Sequence, residues 1–198
     1  MRILAVDPGT TKSGWCLLED GVPTTWGWED NDFVQEKLAM TSVDSEVGVI
    51  PDLVIEDIGN YGMPMGRDTI ETIRWTGKFE ASYLGEVHYL LRPTIKTHLC
   101  NAANAKDANV RQALIDRYGG DEVAVGGKKC GTCKGKGWKG RGRAICPDCF
   151  DGPITDRTFD AIGTGYETPP GPLHGLTGHC WSALACGITY LDTKEQPQ

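Results

Sequence analysis

The sequence predicts an α/β fold whose mixed sheet carries an active site at its strand ends. Three β-like segments come first, and helices and strands alternate after them, an order typical of a sheet covered by helices. Two apolar strand segments end in a carboxylate, at Asp7 and at Glu56. Because ligand sites of such sheets lie at the ends of strands, these two residues are the first candidates for chemistry.

The individual elements follow from periodicity and turn residues. Residues 2–7 predict a buried strand, and residues 14–19 and 22–28 predict a hairpin, because Asp-Gly at positions 20 and 21 favours a tight turn. The rest of the chain predicts, in order, a helix over 31–47, a strand over 53–55, a glycine-rich loop over 59–66, a helix over 68–84, a strand over 87–91, a helix over 105–118 and a last helix over 178–191.

Composition limits the class of protein. No apolar run reaches the roughly 18 residues that a membrane span needs, and the N-terminus lacks a signal peptide, so we expect a soluble cytoplasmic protein. In that compartment eight cysteines indicate metal binding rather than disulfides. Four of them are isolated and are interpreted as small buried hydrophobic residues, namely Cys16, Cys100, Cys180 and Cys186. The net charge of −7 does not favour nucleic-acid binding. Residues 128–143, however, contain seven basic and no acidic side chains, so this segment is a candidate for contact with nucleic acid.

The strand-end carboxylates predict a divalent cation. If the strands of Asp7 and Glu56 are parallel neighbours, their carboxylates converge and repel unless a cation lies between them. Mg²⁺ prefers oxygen ligands and keeps waters for phosphate substrates. The last helix offers His179 and Ser182, whose spacing puts them on the same side, as further ligands. Each of these residues alone is also compatible with a capping, turn or core role.

Two C-x-x-C pairs predict a structural zinc site. Cys130 with Cys133 and Cys146 with Cys149 are separated by 12 residues, and two such pairs form the tetrahedron that Zn²⁺ prefers. A redox pair, or cysteines that bind no metal, are the alternatives. The basic and aromatic residues between the two pairs have two possible roles. They either only stabilise this segment or bind DNA through phosphate contacts and base stacking. They are Lys134, Lys136, Trp138, Lys139, Arg141 and Arg143.

Four segments of the chain form a set of motifs, and they are ILAVDPG at 3–9 with SGW at 13–15, VIE at 54–56, Lys96 with AKDANV at 105–110, and HCWSALA at 179–185. Together they resemble the motifs of the RuvC family of Holliday-junction resolvases. The resemblance extends over 1–118 and 171–192, and the segment 94–118 with 171–173 is most similar to the phage-encoded branch. It implies an RNase H-like core over 1–122 and 166–198, with a mixed five-stranded sheet flanked by helices, and leaves 123–165 as an inserted, zinc-ribbon-like four-cysteine module.

The resemblance also implies function and residue roles. It implies a homodimer that uses Mg²⁺ or Mn²⁺ to make paired nicks in branched DNA such as four-way junctions, in the cytoplasm of a bacterial host if the gene is a phage gene. Asp7, Glu56 and His179 would bind the catalytic metal, which would activate water for in-line attack that leaves a 3′-hydroxyl. The expected DNA contacts are Lys106 near the scissile phosphate, Lys96 on backbone phosphate, Tyr61 stacked at the junction, and Arg67, Arg74 and Lys78 on a helix that borders the DNA channel and the dimer interface. A solvated charged face is the alternative for that helix.

Ser182 departs from the family pattern, which has Asp at this position. The site then works with three protein ligands, uses Ser182 through water, or is weakened or specialised. Three other functions stay open: a sugar-kinase or actin-like ATPase, suggested by residues 7–11 but lacking room for a second domain; a non-catalytic protein that binds branched DNA; and a nuclease of the same fold that acts on RNA–DNA hybrids or forks.

Overall fold

A computed structural model describes residues 1–43, 50–59, 62, 64–132, 134, 138–139, 144–145, 166 and 170–195. The chain divides into two compact units, one formed by Met1–Leu114 with Leu176–Gln198 and the other by Ile115–Gly175. No helix in the described part of the chain is long and apolar enough to cross a bilayer.

The first unit is built on a mixed five-stranded sheet, as the sequence predicts. Its strands are β1 (Arg2–Asp7), β2 (Lys12–Glu19), β3 (Val22–Asp30), β4 (Asp52–Asp57) and β5 (Val87–Leu91), in the spatial order β3-β2-β1-β4-β5. The first three strands are antiparallel neighbours, whereas β4 is parallel to β1 and β5 is parallel to β4. Asp20 and Gly21 have φ of 49° and 78°, so both turn residues adopt the positive φ that the Asp-Gly pair predicts.

The described residues form five α-helices, and some of these cover both faces of the sheet. The five are α1 (Asn31–Val43), α2 (Arg67–Ala81), α3 (Arg92–Cys100), α4 (Asp107–Arg117) and α5 (Cys180–Glu195). The predicted helices are present with shifted ends, and residues 44–47 of the first one lie outside the described residues. Helix α3 was not predicted as a helix. Its Pro93 stands in the first turn, where the missing N–H of proline costs no hydrogen bond.

Alternation along the strands assigns each side chain to a face. Leu4 and Val6 of β1, with Leu53 and Ile55 of β4, belong to the core cluster that includes side chains of α1 and α2. Ala5 faces the other way, because a Cβ added to Gly187 of α5 would lie 3.1 Å from the Ala5 Cβ atom. Residues two positions apart share a face, so Asp7 and Glu56 point to the α5 side of the sheet.

Helix α5 is more deeply buried than its predicted single apolar face requires. Trp181, Leu184, Ala185 and Ile188 are buried as expected, but every residue from Ala183 to Leu191 is buried as well. Gly187 explains part of this close approach, because an added Cβ would lie 2.7 Å from a methyl carbon of Leu18. The helix therefore packs as an internal layer of the first unit.

The second unit contains the whole predicted module 123–165 and extends beyond it. One π-helical turn spans Asp121–Val125, and the N–H groups of Gly171 and Leu173 donate to the carbonyls of Val125 and Ala124. Ala124, Cys130 and Leu173 are buried. Further along, β6 (Trp138–Lys139) and β7 (Ala144–Ile145) form a two-stranded antiparallel ribbon.

Candidate active site

Two buried carboxylates lie next to each other at one end of the sheet. Asp7 ends β1, and Glu56 is the next-to-last residue of β4. The parallel register pairs Val6 with Ile55, so the residue that follows on each strand is one of these acids. Both are only 7% exposed. The topology thus brings together the two carboxylates that the sequence predicts as metal ligands.

A buried network fixes the turn that follows Asp7. The Ser13 hydroxyl donates to Asn31 Oδ1 at 2.7 Å and accepts the Gly9 N–H at 3.1 Å. Asn31 Nδ2 in turn donates to the Gly9 carbonyl at 3.0 Å. A Cβ at Gly9 would lie 2.2 Å from the Lys12 carbonyl oxygen. The turn therefore requires glycine and holds Asp7 in place from its C-terminal side.

His179 contacts Asp7 directly. It precedes α5, and its Nδ1 atom lies 2.7 Å from Asp7 Oδ2. Its ring also stacks on Trp28, with centroids 6.0 Å apart and planes inclined by 26°. The hydrogen bond to Asp7 raises the pKa of His179, although burial acts in the opposite direction. Since Nδ1 is engaged, Nε2 is the ring nitrogen left for a ligand.

Glu56 shares a cation with a third carboxylate. The Arg92 guanidinium donates to Glu56 Oε1 at 2.5 Å and to Asp107 Oδ1 at 2.9 Å. Lys96 Nζ lies 3.3 Å from the same oxygen of Asp107. Burial and the charge of Asp7 raise the pKa of Glu56 to about 7, although Arg92 opposes them. The site therefore concentrates negative charge that a positive group must balance.

Four of these groups line one cavity of the first unit. Asp7, Arg92, Asp107 and His179 border it together with Ser182, and Gly178 and Trp181 complete the lining. Ser182 is half-buried and lies one helical turn beyond His179. The structure therefore brings Ser182 to the site, where it offers a hydroxyl in place of a charge.

The predicted basic residues lie in different surroundings. Lys106 is exposed and its carbonyl accepts the N–H groups of Asn109 and Val110 at the start of α4. Lys96 is mostly buried, with 17% of its side chain exposed, and faces Asp107. On α2, Arg67 is exposed, Arg74 pairs with Glu71 at 3.1 Å, and Lys78 Nζ lies 3.6 Å from the centre of the Trp75 ring.

Another group of possible ligands lies at the opposite end of the sheet. Among the described residues, Asp52, Glu86 and His88 bring three donor atoms within 4.8 Å of one another. Asp52 already accepts the Tyr190 hydroxyl at 2.9 Å, and the His88 ring packs on Tyr190 at 4.6 Å. Asp7 and Glu56 do not belong to this group, which sits where β4 and β5 begin rather than where they end.

Part of the predicted zinc and DNA-binding set lies outside the described residues. Cys130 is buried, and its carbonyl accepts the N–H of Lys134, whose φ is 52°. The backbone of Trp138 and Lys139 forms β6. Outside the described residues lie Tyr61, Cys133, Lys136, Arg141, Arg143, Cys146 and Cys149.

Sequence reasoning missed Arg92, Asp107 and Trp28 as members of the site. Asp107 stands inside the segment 105–110 that resembles a family motif, next to Lys106. Arg92 follows β5 directly, at the same end of the sheet as the two strand-end acids. A search for charged residues just after each parallel strand would have found Arg92, because such positions meet at one edge.

Comparison with solved structures identifies the fold. A structure of RuvC from Thermus thermophilus matches with a TM-score of 0.54 and 11% identity, over 98% of this chain and 97% of that chain. A structure of T. thermophilus RuvC in complex with Holliday junction substrate matches with a TM-score of 0.57 and 10% identity, over 98% and 94%. No protein-family model and no curated protein sequence matches the chain. The similarity confirms the RuvC-like, RNase H-like fold.

Proposed function

We propose that this chain is a divalent-metal-dependent endonuclease that resolves four-way DNA junctions and related branched DNA by paired nicking. The observation that carries the proposal is the pair of buried carboxylates, Asp7 and Glu56, at the ends of adjacent parallel strands. His179 is bound to Asp7 beside them. A structural neighbour of the same fold is a RuvC in complex with Holliday junction substrate, which supports branched DNA as the substrate.

The donor set fits Mg²⁺ or Mn²⁺. Asp7 and Glu56 supply hard oxygen ligands, and His179 supplies an imidazole nitrogen that Mn²⁺ accepts readily. The Arg92 guanidinium between Glu56 and Asp107 shows that the carboxylates hold a positive group. A bound divalent ion would supply a water of lowered pKa and would neutralise charge on the phosphate.

The residues of the chain would position and neutralise the substrate. The Asp7 carboxylate accepts a hydrogen bond from Nδ1 of His179 and so orients the imidazole, which leaves the Nε2 lone pair for the metal ion. Water would bond to phosphorus as the bond to the 3′ oxygen breaks, and the products would be a 3′-hydroxyl and a 5′-phosphate. Lys106, at the start of α4, would offset charge that develops on the phosphoryl oxygens.

Helix α2 is the proposed DNA and dimer surface. Ile70 and Ile73 are 41% and 40% exposed on it, and isoleucine side chains one turn apart form an apolar strip that a second copy would cover. Arg67, Arg74 and Lys78 lie on the same helix. Their charges suit the phosphates of DNA that enters between two copies.

The second unit is proposed to hold structural Zn²⁺ through Cys130, Cys133, Cys146 and Cys149. Support comes from the spacing of the two pairs and from the short ribbon β6–β7 between them, since a module of this size needs a metal to fold. The basic residues of this unit would add phosphate contacts. Thiolates persist in reducing surroundings, and we place the protein in the cytoplasm.

A cleavage assay tests the function. Purified protein is incubated with labelled four-way junction, fork, linear duplex and RNA–DNA hybrid, each with Mg²⁺, Mn²⁺ or EDTA. We expect metal-dependent, paired nicks in the junction, and little cleavage of linear duplex. Tight junction binding without cleavage in either metal would instead indicate a binding protein, which the neutral Ser182 side chain favours. Preferred cleavage of the hybrid would indicate a different nuclease.

A further inference from the structure

Asp107 is a carboxylate in the candidate site that belongs to neither strand end nor to α5. It is the first residue of α4, and it borders the same cavity as Asp7, His179 and Ser182. We infer that Asp107 supplies the negative metal ligand that Ser182 cannot supply, so the last carboxylate of the site comes from α4 instead of α5. This inference rests on the proposed metal-dependent nuclease function.

The contacts of Asp107 point into the site. Its Oδ1 atom accepts the Arg92 guanidinium at 2.9 Å and lies 3.3 Å from Lys96 Nζ. The same guanidinium contacts Glu56 at 2.5 Å. One planar cation therefore spans the two carboxylates, which places Asp107 next to Glu56 with the Arg92 guanidinium between them.

The ordinary role of such a residue is to stabilise the start of its helix. An acidic side chain in the first turn interacts favourably with the helix dipole, and a capping carboxylate accepts a backbone N–H. Within the described contacts, the Asp107 carboxylate bonds to Arg92 and approaches Lys96. These described partners are cations, of which Arg92 lines the cavity, and not amides of α4, so capping does not account for the orientation of the carboxylate.

Charge balance explains why this position matters. A serine hydroxyl is neutral, and a cation site for Mg²⁺ or Mn²⁺ depends on carboxylate charge for affinity. Asp7 and Asp107 line the cavity and Glu56 contacts Arg92 of its lining, so three carboxylates are nearby although α5 contributes none at position 182. The negative charge that the family pattern places at position 182 of α5 is therefore available from Asp107 of α4, which lines the same cavity.

The experiment removes the carboxylate from α4 and introduces one at position 182 of α5. Asp107→Asn, Ser182→Asp and the double variant are compared with the unmodified protein for Mn²⁺ binding by calorimetry, with junction cleavage measured in parallel. We expect Asp107→Asn to weaken Mn²⁺ binding at least about tenfold and to slow cleavage. The double variant should recover binding to within about threefold of the original protein, because the charge returns from α5. Asp32→Asn is the control, since Asp32 is also an exposed acid in a first helical turn, that of α1.

The outcomes separate the two proposals. If the unmodified protein binds Mn²⁺ and cuts junctions, and Asp107→Asn does both equally well, Asp107 is not a ligand and the inference fails while the function stands. If Asp107→Asn loses binding but Ser182→Asp does not restore it, Asp107 does not stand in for the residue at 182 and the inference is again overturned. If the unmodified protein neither binds Mn²⁺ nor cuts any junction, the proposed function fails, and the inference fails with it.

Discussion

His179 Nδ1 lies 2.7 Å from Asp7 Oδ2, and 172 positions of sequence separate the two residues. This contact joins the first strand of the sheet to the start of its last helix. It depends on Gly14, which pairs with Asp7 across β1 and β2. A Cβ at Gly14 would lie 2.5 Å from the backbone carbonyl of His179, so only glycine lets the start of α5 approach the sheet this closely.

We therefore expect Gly14→Ala to displace His179 and damage the site. The contact is with backbone, which cannot rotate away, so the substitution should cost about 1–3 kcal/mol of stability and slow junction cleavage at least about tenfold. Chemical denaturation and single-turnover cleavage measure the two effects. Gly77→Ala is the matched control, because nothing lies within 4 Å of a Cβ at this position in α2. It should stabilise the protein by about 0.5–1 kcal/mol. Full activity and stability of Gly14→Ala would show that this close approach is not needed.

Asp7→Asn and Glu56→Gln should each abolish cleavage and spare junction binding. Both substitutions keep the size of a buried side chain but remove a proposed metal charge, so we expect a loss of at least about 100-fold in cleavage rate. Junction affinity, measured in Ca²⁺ by gel shift, should change by less than about threefold, because phosphate contacts dominate such binding. Cleavage by both purified variants at the original rate would refute the assignment of the active site.

The buried Glu56 carboxyl should make the metal-free protein less stable as pH rises. Burial, with Asp7, raises the pKa of Glu56 in the folded state from 4.5 to about 7. Between these values the folded state binds more protons than the unfolded state, so stability falls as pH increases through this window. Glu56→Gln removes this ionisation. In EDTA we expect the variant to gain on the order of 1–3 kcal/mol over the original protein between pH 5 and pH 8.

Urea denaturation at pH 5 and pH 8 measures that difference. Added Mg²⁺ at pH 8 should stabilise the original protein and stabilise Glu56→Gln much less, because the ion compensates the carboxylate that the variant lacks. If the stability difference between the two proteins is the same at both pH values, Glu56 does not ionise with a raised pKa. The comparison uses differences between variants, so titrating groups remote from Glu56 cancel.

The sheet could be predicted from sequence because its signals are local. The apolar run of β1, the Asp20-Gly21 turn and the apolar β4 segment each act over a few residues, and all three appear in the structure at the expected positions. The two strand-end acids followed from the same apolar runs, because each run ends in a carboxylate. Only the parallel pairing of β1 with β4 had to be assumed for them to converge.

The rest of the site depends on packing between distant segments. Arg92 reaches Glu56 across 36 positions and Asp107 across 15, and no local pattern encodes either contact. The deep burial of α5 also depends on small residues such as Gly187 that let the helix approach the sheet. The spacing of large apolar residues predicts which face of a helix is buried, but it does not predict how closely the helix packs against the sheet.

Cys130→Ser should remove zinc from the second unit and destabilise it. Cys130 is 1% exposed, and the loss of one thiolate from a four-cysteine site removes metal affinity and therefore folding energy. We expect the zinc content by elemental analysis to fall to a small fraction of one equivalent, together with faster proteolysis within residues 115–175. Cys100→Ser is the control, because Cys100 is half-buried on α3 and outside the C-x-x-C pairs. Absence of zinc from the unmodified protein would remove the zinc proposal.

Ile73→Glu should convert the proposed dimer into a monomer. Ile70 and Ile73 are exposed on α2, and a charge in the middle of an apolar contact is left without a partner when a second copy covers it. Light scattering after gel filtration should show half the original mass, and junctions should receive single nicks in place of paired ones. Met40→Glu is the control, since Met40 is 61% exposed on a different helix. If Ile73→Glu forms a dimer of unchanged stability, the interface does not lie on α2. If the unmodified protein is itself a monomer, the two nicks must be made independently.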